Sequence, residues 1–243
     1  MEEKISFPMR INRYLAKKQI CTRREADALV ASGKVTINGR KAVLGDKVKI
    51  EDEIRVSEDS VRKKNFVYLA YNKPEGIATH SPQAGEKGIA NILNFPVRVF
   101  PVGRLDKDSC GLIILTNDGR ITDRMLNPDY YHEKEYAVQV DPKITPSFLE
   151  KMAGGMEIDG KYKTRKCKVK KLDKCIFSIV LTEGKKRQIR KMCEKLGRIV
   201  KSLKRVRIMN IKLESLRPGQ YRKIEGEELE GFLKGIGMIG LTK

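Results

Sequence analysis

The chain has 243 residues, 40% of them hydrophobic, and a formal net charge of +20. That length suits one domain of ordinary size plus a small appendage. The apolar fraction excludes wholesale disorder, and no apolar run approaches the roughly 20 residues of a membrane span. The charge excess predicts a polyanionic partner, because neutralised phosphates release counterions. No basic amphipathic stretch with bulky aromatic anchors points to a membrane surface. The opening Met1-Glu2-Glu3-Lys4 lacks an apolar signal core, so the expected location is cytoplasmic.

Residues 1–60 read as a first domain. Ile11, Tyr14 and Leu15 share one helical face, and Thr22 with Glu25 signals a capping box ahead of a second short helix through Ala26, Leu29 and Val30. Gly33 ends that helix, Val35 to Ile37 forms a strand, and Asn38-Gly39 marks a tight turn. Val43, Val48, Ile50, Ile54 and Val56 are the expected remainder of a small core. Arg23 and Arg24 fall in the first turn of the second helix, where the macrodipole disfavours cations. That placement suits phosphate contact better than stability. Arg10, Arg13 and Lys34 join them as expected RNA-binding residues. The stretches Arg10-Ile11-Asn12-Arg13-Tyr14-Leu15, Cys21-Thr22-Arg23-Arg24-Glu25-Ala26, Gly33-Lys34-Val35 and Asn38-Gly39 resemble the small RNA-binding domain of the S-four ribosomal protein type over about residues 9–56. The resemblance implies RNA docking without chemistry.

Polar residues 57–65 read as a linker, and residues 61–243 as a second domain. Strands are expected at Phe66–Tyr71 (stopped by Asn72-Lys73-Pro74), Val97–Phe100, Leu112–Leu115, Tyr136–Val140 and Ile176–Leu181, with a helix from Arg187 to Leu196 closed by Gly197. Strands and helices mix without regular βαβ alternation. The expected class is therefore α+β, a mainly antiparallel mixed sheet flanked by helices.

Three segments carry chemistry. Gly103 to Leu112 (GRLDKDSCGL) lies between two apolar strands and holds Asp106 and Asp108 among basic residues. A carboxylate beside arginine is favoured in its charged form and can act as nucleophile or base. A turn held by a structural Asp–Arg pair has the same spacing. His132 to Tyr136 (HEKEY) runs into a strand, where Tyr136 either joins a core or stacks on a base. Leu181 to Met192 (LTEGKKRQIRKM) delivers Lys185, Lys186, Arg187 and Gln188 at a glycine turn to a helix start, with Arg190 and Lys191 one turn on. So much like charge calls for a counter-anion, and RNA phosphate is the simplest. The five cysteines (Cys21, Cys110, Cys167, Cys175 and Cys193) form no C-x-x-C pair, and only His80 and His132 accompany them, so no metal site is expected. Cys110 reads as packing rather than a thiol nucleophile.

Together with Asn72-Lys73-Pro74-x-Gly76, the three segments resemble the RsuA-type pseudouridine synthases: G-R-L-D followed by a small polar residue and G-L, a K-x-Y strand, and E-G-x-x-x-Q-[IV]-R-[RK]-M. The resemblance extends to about Glu228 and implies an RNA pseudouridine synthase that needs no cofactor. It assigns Asp106 as the essential residue, with Arg190 paired to it. Tyr136 stacks on the target base, and Arg104 braces RNA around a flipped nucleotide. Lys134, Lys185, Lys186, Arg187 and Gln188 are assigned to RNA binding. Asp108 is expected to shape the loop. Lys185 and Lys186 stand where the family more often has Arg and a polar residue, which keeps charge but loses a bidentate fork. The implied partner is ribosomal RNA of the large subunit, with small-subunit RNA or a tRNA anticodon loop as alternatives; a monomer is the default expectation. Outside this class, a non-catalytic rRNA-binding assembly factor would explain the charge but not Asp106, Tyr136 and Arg190. An RNA methyltransferase carrying an S-four-type domain lacks support, because no glycine-rich cofactor loop follows a strand.

Overall fold

In a computed structural model the chain divides into two compact units, Met1–Phe66 with Asp118–Arg120 and Val67–Asn117 with Ile121–Lys243. The structure describes residues 7–18, 20–57, 65–160 and 162–238, so residues 1–4 of the expected leaderless start and 58–64 of the expected linker lie outside the described residues.

The first unit runs β1 (Met9–Arg10), α1 (Ile11–Lys17), α2 (Arg23–Ala31), β2 (Val35–Ile37), β3 (Arg40–Lys41), β4 (Lys47–Val48) and β5 (Ile54–Val56). The capping box forms: Glu25 N–H donates to Thr22 Oγ1 at 3.2 Å while Thr22 N–H donates to Glu25 Oε2 at 2.9 Å. Asn38 and Gly39 both take positive φ, the conformation a two-residue hairpin turn between β2 and β3 requires. Ile11, Leu15, Ala26, Val30, Val35 and Val48 are buried together, with Ile54 and Val56 packed against them. Val43 and Ile50 are not core residues. They are 57% and 79% exposed, because each sits in a turn closed by an aspartate, Val43 N–H on Asp46 and Lys49 N–H on Asp52. An apolar side chain at such a tip has nothing to fold onto.

The second unit is built on a nine-stranded sheet. Its elements are β6 (Tyr68–Lys73), α3 (Ile89–Ile92), β7 (Phe100–Val102), β8 (Cys110–Thr116), α4 (Ile121–Leu126), β9 (Lys134–Asp141), α5 (Pro146–Gly154), β10 (Glu157–Ile158), β11 (Tyr162–Lys163), β12 (Lys168–Lys171), β13 (Ile176–Leu181), α6 (Gln188–Lys195), β14 (Ile199–Ile208), β15 (Ile211–Lys212), β16 (Tyr221–Lys223) and α7 (Gly226–Gly235). The order is β12-β13-β9-β14-β8-β6-β16, with β15 on β14 and β7 on β8. Every pair is antiparallel except β14 with β8, so the expected α+β class with a mainly antiparallel mixed sheet holds.

β8 and β9 each start two residues earlier and end one residue later than expected, and β6 and β7 are displaced along the chain. β6 ends at Lys73 rather than Tyr71, because both polar residues find partners inside: Asn72 Nδ2 donates to Leu216 O at 2.7 Å, and Lys73 Nζ donates to Pro74 O and Ile77 O. Pro74, which has no N–H, follows the strand's last residue. β7 spans Phe100–Val102, later than the expected Val97–Phe100. Val97 is exposed, and only Phe100 to Val102 reach the register of Ile114 to Thr116.

One row across this sheet positions the site. Lys73 on β6 faces Gly111 on β8, Gly111 faces Arg205 on β14, Arg205 faces Tyr136 on β9, and Tyr136 faces Ile179 on β13. At Gly111, φ is +102° and a Cβ would fall inside contact distance of the Arg205 backbone, so only glycine lets these strands meet.

Candidate active site

A cleft of about 450 Å³ opens where β8, β9 and the turn before α6 converge. One wall is the loop before β8. It is tethered on several sides: Thr79 Oγ1 donates to Leu105 O (2.6 Å) and accepts from Leu105 N–H (3.1 Å), Gly76 N–H donates to Lys107 O (2.8 Å), and Ser109 N–H donates to Asp106 O (3.1 Å). Leu105 is buried among Leu69, Tyr71 and Ile113. Arg104 and Asp106, on either side of Leu105, line the cleft. The half-buried Asp106 carboxylate makes no hydrogen bond or ion pair among the described residues. Its backbone holds it in place and leaves it open toward the cleft.

Tyr136 forms the second wall with Leu181, Ile189 and Leu203 behind it. Its ring belongs to the packing of both halves of the sheet and also reaches the cleft. The third wall is the turn Glu183 to Gln188. Glu183, 2% exposed, organises it: it accepts from Tyr162 Oη at 2.5 Å, Arg165 N–H at 3.0 Å and Gln188 Nε2 at 2.7 Å. Three donors on one buried carboxylate satisfy the cost of burying it, and the Glu183 contact raises the Tyr162 hydroxyl above its ordinary range. Lys185 lies 4.2 Å over the Tyr162 ring.

The expected Arg190–Asp106 pair is absent. Arg190 instead donates to the Asp108 carbonyl at 2.6 Å and pairs with the Asp108 carboxylate at 3.2 Å, and Arg187 reaches the same carboxylate at 2.9 Å. The loop turns between Asp106 and Asp108, and it is Asp108 that faces α6. Arg190 therefore sits behind the cleft and grips the loop rather than the cleft-facing carboxylate. Arg187, expected as the first residue of this helix, lies outside α6: it caps the helix in the left-handed conformation at φ 54°, so it does not share a helical face with Arg190 and Lys191.

Arg104, Asp106, Tyr136, Lys185, Lys186, Arg187 and Gln188 thus share one cleft. Arg190 is one step behind it. Lys134 is on the same strand as Tyr136 but does not line the cleft; its Nζ donates to His132 O at 3.3 Å, and burial with the Arg205 charge pushes it down to about 8. Lys73, fully buried beneath the loop, is pushed down to about 8 by burial, against the opposing pull of Cys110, Glu75, Asp108 and Asp106. Arg10, Arg13, Arg23, Arg24 and Lys34 belong to the first unit, all exposed and without ion-pair partners among the described residues. Sequence reasoning missed Glu183 and Ser109. An acid directly before a glycine at the head of a basic run was the available signal for Glu183. Burial raises the Cys110 thiol, which makes it a poorer nucleophile. Among the described residues no His, Cys, Asp and Glu cluster is arranged to hold a metal ion, and no helix is long and apolar enough to cross a membrane.

A model of the RNA pseudouridylate synthase family matches residues 67–195, and a model of the S4 domain matches residues 9–54. The dual-specificity RNA pseudouridine synthase RluF of Escherichia coli (strain K12) is 42% identical over 231 residues, covering 94% of this chain and 79% of the relative. Ribosomal large subunit pseudouridine synthase B of Bacillus subtilis (strain 168) is 33% identical over 229 residues, covering 91% of this chain and 94% of the relative. A crystal structure of a pseudouridylate synthase matches with a TM-score of 0.68 at 28% identity, covering 92% of this chain and 99% of that one.

Proposed function

Because the chain belongs to the RNA pseudouridylate synthase family, in its RsuA-type branch with an N-terminal S4 domain, we propose that it isomerises a uridine of large-subunit ribosomal RNA, with Asp106 as the essential residue. The observation that carries the assignment is an open carboxylate on a tethered loop, facing an aromatic ring across a cleft rimmed with lysine and arginine. A catalytic group gains most when its position is paid in advance by the fold, and Asp106 meets that condition.

The reaction breaks the bond from ribose to the base nitrogen, turns the base and joins carbon 5 to the same ribose carbon. Asp106 acts either as nucleophile at that carbon or as base toward a glycal. Tyr136 stacks on the base and holds it while it turns, and its hydroxyl is placed to take part in loss of the carbon 5 proton. Arg190, through Asp108, sets the loop that carries Asp106. Extruding a nucleotide costs a few kcal/mol; Arg104 takes up the space it leaves, and Lys185, Lys186, Arg187 and Gln188 hold the flanking phosphates. Arg10, Arg13, Arg23, Arg24 and Lys34 dock the RNA, and Lys134 supports the strand beside the base. No cofactor takes part, because nothing is oxidised, reduced or donated. One cleft within one chain supports a monomer, working in the cytoplasm, with residues 1–60 as docking domain and 61–243 as catalytic domain.

The large-subunit assignment draws on the name of the Bacillus subtilis relative, and the words "dual-specificity" in the name of the Escherichia coli relative support a second RNA, for which a tRNA anticodon loop is our reading. Mapping pseudouridines in ribosomal and transfer RNA from a strain lacking this gene, and again after complementation, tests both. Loss and restoration of a large-subunit signal is expected. A profile unchanged in large-subunit RNA overturns the substrate assignment.

A further inference from the structure

An aromatic residue that the proposed mechanism does not use is connected to the cleft through Arg165 and Glu183. Tyr131 is 58% exposed, although it neighbours the buried His132. Its backbone is left-handed, φ 55°, a region that aromatic residues rarely occupy and that costs energy to hold. The preceding Tyr130 turns the other way, its ring stacked on His132. One face of the Tyr131 ring is covered by the Arg165 guanidinium at 4.1 Å. Arg165 is itself fixed: Nη1 donates to Pro128 O at 2.9 Å, its backbone N–H donates to Glu183, and its Nε lies 3.7 Å from the same carboxylate. Glu183 lines the cleft that holds Asp106.

We propose that Tyr131 and Arg165 form a stacking platform for an unpaired nucleobase flanking the target uridine, a specificity-determining site separate from Tyr136. A rigid ring with one face braced by a cation and the other open to solvent is what base stacking requires, and the arginine adds attraction for the neighbouring phosphate. A folded loop with no ligand would gain by turning the ring inward, as Tyr130 does. The platform is linked through Glu183 to the turn carrying Lys185 to Gln188, so a base seated there is held in register with the cleft. The proposal rests on the reading of this chain as an enzyme acting on RNA loops.

The test uses the whole protein with Tyr131→Ala, Tyr131→Leu and Tyr131→Phe, measuring steady-state tritium release from carbon-5-labelled rRNA and RNA affinity by anisotropy. Fluorescence of 2-aminopurine, placed in turn at nucleotides flanking the modified uridine, reports stacking. Ala and Leu variants are expected to raise KM and Kd about tenfold with kcat unchanged. They should abolish the fluorescence quench at one flanking position, while Phe behaves as wild type. Equal KM and Kd in all variants overturns the platform, as does a Leu variant indistinguishable from wild type, which would reduce the ring to apolar bulk. A Phe variant as weak as Ala also overturns it, since a hydroxyl contact would then be the cause. Absent turnover with the Kd differences intact would instead count against the catalytic reading and leave the platform standing.

Discussion

The two units carry basic residues in opposite ways. In the first, Arg10, Arg13, Arg23, Arg24 and Lys34 stand exposed with no ion-pair partner among the described residues. Around the cleft of the second, three arginines are tied down, Arg187 and Arg190 on Asp108 and Arg165 on Glu183, while Arg104 on the cleft wall has no such tie among the described residues. Free cations on flexible stems bring phosphate close without dictating its position. Pinned cations have already lost the entropy of being held and can fix geometry to within the tolerance chemistry needs. On the proposed function the same residue types would serve affinity in one unit and orientation in the other, and substitutions in the two should separate the two quantities.

The largest effect is expected where the cleft's frame is tightest. Gly111→Ala would drive a methyl group into the Arg205 backbone at a positive φ, costing about 3 kcal/mol or more of stability by denaturant unfolding. Arg190→Gln should reduce kcat about 100-fold with KM changed little, since the loop carrying Asp106 loses its grip; a lowered affinity with unchanged kcat would place Arg190 among the docking residues instead. Arg23→Gln with Arg24→Gln should do the reverse, weakening RNA binding about tenfold and flattening its salt dependence by about 0.7 to 0.9 in log–log slope per lost phosphate contact, with kcat preserved. A pH-dependent effect concerns Lys134. Its ammonium is pushed down to about 8 in the folded protein from an ordinary 10.5, so between those values the unfolded chain binds the extra proton and wild-type stability gains with rising pH. Lys134→Met should remove that gain, seen as a stability difference between variant and wild type that changes steadily from pH 8 to 10.5 and is flat below it.

Much of this architecture was legible in the residues. The capping box at Thr22, the Asn38-Gly39 turn and the strand Ile176–Leu181 each have a local cause, and each formed where expected. The family motifs brought Asp106, Tyr136 and the Lys185–Gln188 turn to one cleft although they are far apart along the chain. What sequence spacing did not carry was the direction of side chains on a tight loop. Asp106 and Asp108 differ by two positions, both lie among cations, and only the loop's turn decides which one meets Arg190. Val43 and Ile50 failed for a related reason: apolarity marks a core residue only where the backbone points it inward. Glu183 was overlooked because a lone acid in a basic run reads as surface charge, until burial shows three donors converging on it.

The central claim is that Asp106 performs the chemistry while Asp108 holds the frame. Single-turnover tritium release from carbon-5-labelled rRNA, compared for wild type, Asp106→Ala and Asp108→Ala, addresses it directly. The account predicts no release above background from Asp106→Ala with RNA affinity intact, and slowed but measurable release from Asp108→Ala. Release from Asp106→Ala at the wild-type rate, or its complete loss only in Asp108→Ala, would contradict it.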